Sequence, residues 1–186
     1  MDQSIELPTK ILVLDSDAQS RRSTVEILRV GADQSGRYEL YEAEKGESCI
    51  RLARQIKPDL ILLDILLPDI SGLELCRRIK ADPGLLGVFI ILYSTHKHTL
   101  EESTNALETG ADSYIVAPAS NQELLAQVRA MLRLKRAEDT LRKQSHNLGE
   151  RVKELKCLYG LSTLVEKADA SLHEVLQGVL ALIPPA

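Results

Sequence analysis

The sequence predicts an α/β fold, a doubly wound parallel sheet of five strands, followed by one long helix that reads as a coiled coil. Three observations carry this. The runs KILVLD (10–15), DLILLD (59–64) and VFIILY (88–93) are apolar on both faces, as strands are when a sheet is covered on both sides. A helical stretch separates successive strands, which parallel crossovers require. From Asn121 to about Glu166 there is no proline, and the pattern stays helical throughout.

KILVLD opens the domain and ends on acid. The stretch 17–30 follows as an amphipathic helix with Val25, Ile27, Leu28 and Val30 as its apolar positions. YELYEAE (38–44) is a mixed strand and SCIRLARQI (48–56) is helical. DLILLD leads into helical LELCRRIKA (73–81), and VFIILY into helical LEESTNALETG (100–110). SYIVA (113–117) is the last strand, and the long helix starts near Asn121.

Composition narrows the class. The 186 residues hold one ordinary domain and something extra. Aromatic residues make up 3%, with no Trp and one Phe, so the core is built from Leu, Ile, Val and Ala. No apolar run reaches the length of a membrane span, and MDQSIELPTK is too polar for a signal peptide; a cytoplasmic protein is expected. Cys49, Cys76 and Cys157 are scattered without CxxC spacing and read as reduced thiols. The net charge is −4, with the acidic excess in residues 1–120, and the basic cluster Arg133, Lys135, Arg136 reads as a solvated helix face. No direct nucleic-acid binding is expected.

The stretch ILVLDSDAQS (11–20) poses the chemical question, because a buried strand ends on Asp15 and Asp17, one residue apart. Two such carboxylates repel and lose water unless a cation or proton is shared. The plainer reading is that Asp17 caps the next helix while Asp15 faces solvent. In an open α/β sheet, ligands sit beyond the carboxyl ends of the strands. That rule gathers Asp15, Ser16, Asp17, Asp64, Ser94 and Thr95 at one edge. No GxGxxG follows the first strand, so the edge suits a small hard cation such as magnesium better than a nucleotide. A carboxylate beside that cation could accept a phosphoryl group. His96 and His98 form an HxH that reads as a solvated loop, two histidines being a poor metal site.

Two segments make the chain recognisable: PDLILLDILLPDISGLEL (58–75) and GADSYIVAP (110–118). Over residues 9–130 it resembles the receiver domain of two-component response regulators. The resemblance implies Asp64 as phosphoacceptor, with Pro68 and Gly72 in the turn that follows. It implies Ser94 as the hydroxyl that senses the phosphoryl group, Tyr114 as the switch aromatic, and Asp15 as the first of two acids that hold magnesium. It also implies a sensor histidine kinase or phosphotransfer protein as partner. Two positions depart from the pattern. Ser16 stands where the second magnesium acid belongs, and Ala117 where a lysine should precede the proline. Losing one charge-assisted hydrogen bond costs about 1.5–3 kcal/mol, so phosphorylation and magnesium binding are both expected to be weak. Asp15, Asp64, Ser16 and Asp17 are the candidate metal ligands. The runner-up is a pseudo-receiver that serves as a dimerisation or docking module. Asp15-Ser16-Asp17 also resembles the DxD motif of haloacid-dehalogenase-type phosphatases, but Gln19 and the lack of a late acid pair argue against that.

The last third changes character. Leu134, Leu141, Leu148 and Leu155 recur every seven residues as d positions, with Met131, Glu138, Ser145, Val152 and Tyr159 at a. Residues 131–166 are therefore expected to be a signalling helix that forms a homodimer through 131–165. The phrase LYGLSTLVEKADASLHEVLQGVLALIPPA resembles the opening helices of GAF sensory domains, so 167–186 is expected to be the start of a truncated further domain. The reading is a signalling receiver, not an enzyme, that passes the state of Asp64 through the helix to an output module beyond Ala186.

Overall fold

A computed structural model describes residues 8–32, 38–94, 108–116 and 120–166, with side chains as far as residue 159. In chain order the elements are β1 (Thr9–Leu14), α1 (Ala18–Ala32), β2 (Tyr38–Ala43), α2 (Gly46–Ile56), β3 (Leu60–Asp64), α3 (Gly72–Ala81), a short 3₁₀ turn (Pro83–Leu85), β4 (Phe89–Ser94), β5 (Ser113–Val116) and α4 (Asn121–Glu166). The expected helix at 100–110, the HxH pair, Thr95, Ala117 and the GAF-like segment 167–186 lie outside the described residues. The chain divides into two compact units, Met1–Arg136 and Ala137–Ala186.

All five strands run parallel in the order β2-β1-β3-β4-β5, as the apolar runs predict. Alternation along the strands sorts the core into two layers. Leu12, Leu14, Ile61, Leu63, Ile90 and Leu92 face one side, where Cys49 and Ala53 of α2 and Leu75 and Ile79 of α3 cover them. Ile11, Val13, Leu60, Leu62, Phe89 and Ile91 face the other, beneath α1 and the first turns of α4. Each helix contributes its stripe. On α1 this is Val25 and Leu28, which are buried; Val30, two positions and about 200° round the helix from Leu28, is exposed despite its apolar side chain. On α4 the stripe is Leu124, Val128 and Leu132, spaced by four. Ser120 starts that helix by accepting the Glu123 amide on its side chain at 3.3 Å, and S-N-Q-E has the spacing of a capping box.

Register places the strand ends side by side. Leu14 pairs with Leu63, Asp64 with Tyr93, and Ser94 with Val116. The residue after Leu14 and the residue after Leu63 are both aspartates, so Asp15 and Asp64 leave the sheet at the same level.

Candidate functional site at the carboxyl edge of the sheet

Asp15, Asp64 and Ser94 are all buried at this edge, each at the carboxyl end of its own strand. Asp15 is only 1% exposed, so it does not face solvent. A buried carboxylate needs donors, and Asp15 has them on both oxygens. Its Oδ1 accepts the Asp17 amide at 2.8 Å, and its Oδ2 accepts the Tyr93 hydroxyl at 2.7 Å. The Asp15 carbonyl accepts Arg21 Nη1 at 2.6 Å, while Arg21 Nε pairs with Glu42 at 3.1 Å. Asp17 performs the helix-capping job, since its Oδ1 accepts the Ser20 amide at 2.6 Å.

Asp64 bends the chain after β3 by accepting the Leu66 amide on Oδ1 at 3.1 Å. Ser16 spans the gap between the two strand ends, its hydroxyl donating to the Leu66 carbonyl at 3.3 Å. Gly72 must be a glycine here, because a Cβ would stand 2.5 Å from the Asp64 carbonyl oxygen. Farther along the same connection, Asp69 accepts the Gly46 and Glu47 amides at 3.0 and 3.2 Å and so caps α2 from another loop. Burial opposes ionisation of Asp69, but those amides outweigh it and hold the carboxyl below its usual range. Tyr114 lies in register with Leu92 and packs, partly buried, against the layer under α2 and α3.

The edge thus brings together Asp15, Ser16, Asp64 and Ser94, and it adds Tyr93, which the apolar-run reading of VFIILY passes over. A buried tyrosine hydroxyl normally finds a partner, so the one hydroxyl in an apolar run was the available signal. Burial, then the charge of Asp15 and its hydrogen bond, then the charge of Asp64 push the Tyr93 hydroxyl well above the usual tyrosine range, with Arg21 opposing. Tyr93 is a fixed neutral donor. Cys49 is no nucleophile, because burial and then the Asp69 charge push its thiol up to about 12.

These oxygens are of the hard type that magnesium takes, and one or two carboxylates suffice for that ion. Several of these groups already hold a protein hydrogen bond: Asp15 accepts one on each oxygen, Asp17 accepts the helix-capping amide, and the Ser16 hydroxyl donates to a carbonyl. Among the described residues, no three His, Cys, Asp or Glu side chains converge as a metal-ligand set. The donor set as arranged does not fit a tightly held magnesium ion.

A five-stranded parallel sheet in this strand order, flanked by helices and carrying its acids at the carboxyl edge, is the CheY-like fold of signalling domains. The sequence profile of the response regulator receiver domain matches residues 11–129, and the chain belongs to that family. It is 41% identical over 123 residues to the phosphate regulon transcriptional regulatory protein PhoB of Pseudomonas aeruginosa, covering 66% of this chain and 51% of that one. The alkaline phosphatase synthesis transcriptional regulatory protein PhoP of Bacillus subtilis is 37% identical over 124 residues, covering 67% and 48%. The chain therefore spans about half the length of these curated relatives. A CheY-like receiver domain protein from Methanospirillum hungatei superposes with a TM-score of 0.59 at 28% identity, covering 71% of this chain and 99% of that one. Receiver domains are signalling modules that work with sensor histidine kinases in two-component systems, and they bind magnesium at the phosphorylation site. No helix among the described residues is long and apolar enough to cross a membrane.

Proposed function

We propose that residues 9–130 form a cytoplasmic phosphorelay receiver that takes a phosphoryl group on Asp64 inefficiently. In that step an Asp64 oxygen forms a bond to phosphorus while the donor's bond to phosphorus breaks, and the donor histidine's imidazole leaves. The observation that carries the reading is Asp64 itself, buried at the end of β3 beside Asp15 and against Gly72, the glycine that lets the chain fold back. The inefficiency is supported by Ser16 and Ala117, neither of which replaces the charge expected there, and by the prior engagement of Asp15. Asp15 and Asp64 are the residues that would face a cation, with Ser16 and Asp17 as lesser oxygen donors. Ser94 and Tyr114 are the switch positions.

The state of Asp64 passes, in this reading, to a homodimeric helix at 131–165 and on to a C-terminal GAF-type module. The support is the leucine repeat and the resemblance of 158–186 to GAF opening helices. The pseudo-receiver reading is favoured by one observation, the two protein donors on Asp15. A DxD phosphatase has less support, since Asp17, its general acid, caps α1.

Acetyl phosphate or beryllofluoride with magnesium tests the proposal. Labelling should be slow and incomplete, should vanish in Asp64→Ala, and should strengthen in Ser16→Asp/Ala117→Lys, where two charge-assisted contacts return. Rapid stoichiometric labelling of the wild type removes the inefficiency, and labelling that survives Asp64→Ala removes the site.

A further inference from the structure

We infer that the Tyr93 hydroxyl is a built-in replacement for the divalent cation at Asp15, and that Tyr93 is the positioning residue that sets how much magnesium the acid edge demands. This rests on the reading of the edge as a phosphoacceptor site. Asp15 is 1% exposed, so something must compensate its carboxyl for lost water. In this chain the compensation is a hydrogen bond of 2.7 Å from Tyr93 to Oδ2, a length typical of an O–H donor on a carboxylate.

The hydroxyl cannot easily turn elsewhere. Tyr93 is 6% exposed and its ring is part of the layer that holds Val13, Ile91 and Ile115, so β4 and the core fix its direction. The other acceptor in reach, the Leu14 carbonyl, is at 3.4 Å. Oδ1 already accepts the Asp17 amide, so each oxygen of the carboxylate holds a protein donor. A cation that takes Oδ2 competes there with a hydrogen bond to a charged group, and losing that bond costs about tenfold to a hundredfold in affinity. Ser16, neutral and bonded to the Leu66 carbonyl, adds no charge to draw the cation in. Tyr93 and Ser16 act in the same direction, one occupying the acid and the other leaving it without its neighbour.

The test is magnesium binding by calorimetry and thermal melting on the full chain. Tyr93→Phe, which removes one oxygen and keeps the ring, should bind magnesium at least about tenfold more tightly than the wild type. It should melt lower than the wild type in chelator, and magnesium should close that gap. Adding Asp15→Asn should abolish the gain. Equal or weaker magnesium affinity in folded Tyr93→Phe overturns the inference, as does a gain that persists with Asp15→Asn. A second measurement uses the wild type alone. Saturating magnesium should shift the near-ultraviolet tyrosine absorbance as the hydroxyl is displaced, and saturation without a shift overturns the inference. Labelling of Asp64 separates the two readings. Tighter magnesium in Tyr93→Phe with no label at Asp64 upholds the role of Tyr93 and removes the phosphoacceptor. Labelling of Asp64 with unchanged magnesium affinity does the reverse.

Discussion

Leu132 and Leu141 stand on the same helix, nine positions apart, yet 4% of one and 66% of the other is exposed. The first turns of α4 serve the sheet, with Leu124, Val128 and Leu132 at steps of four buried among β-strand side chains. The later turns carry Leu141, Leu148, Val152 and Leu155 exposed. Helical periodicity is continuous across both stretches, so the period alone does not reveal which partner an apolar stripe serves. The spacing does. Steps of four follow the stripe of a straight helix on a flat layer, whereas steps of seven follow a seam against another helix.

Substitutions sharpen or erase this contrast. The largest effect is expected at Leu132→Ala, which empties a closed site and should lower unfolding stability by about 2–4 kcal/mol in chemical denaturation. Leu141→Ala should cost the receiver domain almost nothing, and an equal loss at the two positions would dissolve the distinction. Next comes Leu141→Lys/Leu148→Lys. Sedimentation should show a concentration-dependent dimer for the wild type and a monomer for the variant, with the receiver melting transition unmoved. Two monomers, or two dimers, would remove the helix seam. The smallest effect belongs to Gly149→Ala. Gly149 has no atom near enough to meet an added Cβ, so the substitution should return about 1 kcal/mol of helix propensity and tighten the dimer severalfold. A looser dimer would mean that the glycine serves the pairing itself.

Most of the sheet was legible because parallel strands buried on both faces leave uninterrupted apolar runs. The gathering of the candidate residues was legible for a related reason, since the carboxyl ends of those runs carry Asp15, Asp64 and Ser94. What escaped was long-range pairing. Nothing in LLPDISG singles out Asp69, and only the folded chain shows it capping α2 from 23 residues away. Tyr93 read as one more apolar position, because its ring does lie in the core and only its hydroxyl reaches the acid. Val30 is one of the apolar positions of the 17–30 stretch, while its angle on α1 leaves it exposed. For Asp15-Ser16-Asp17 the plainer reading holds for Asp17, which caps a helix, and fails for Asp15, which is buried and engaged.

The strand order has one more consequence. The sheet's borders are β2 and β5, and an open border is where a second copy could add its own strand. β5 offers four residues, too short a template to hold one. β2 offers six, but with Glu39 and Glu42 among them, so a like copy laid alongside would bring acid against acid. Stacking into fibrils is thus obstructed at both margins, and crowding of this protein should favour reversible pairing of helices over ordered, irreversible polymer.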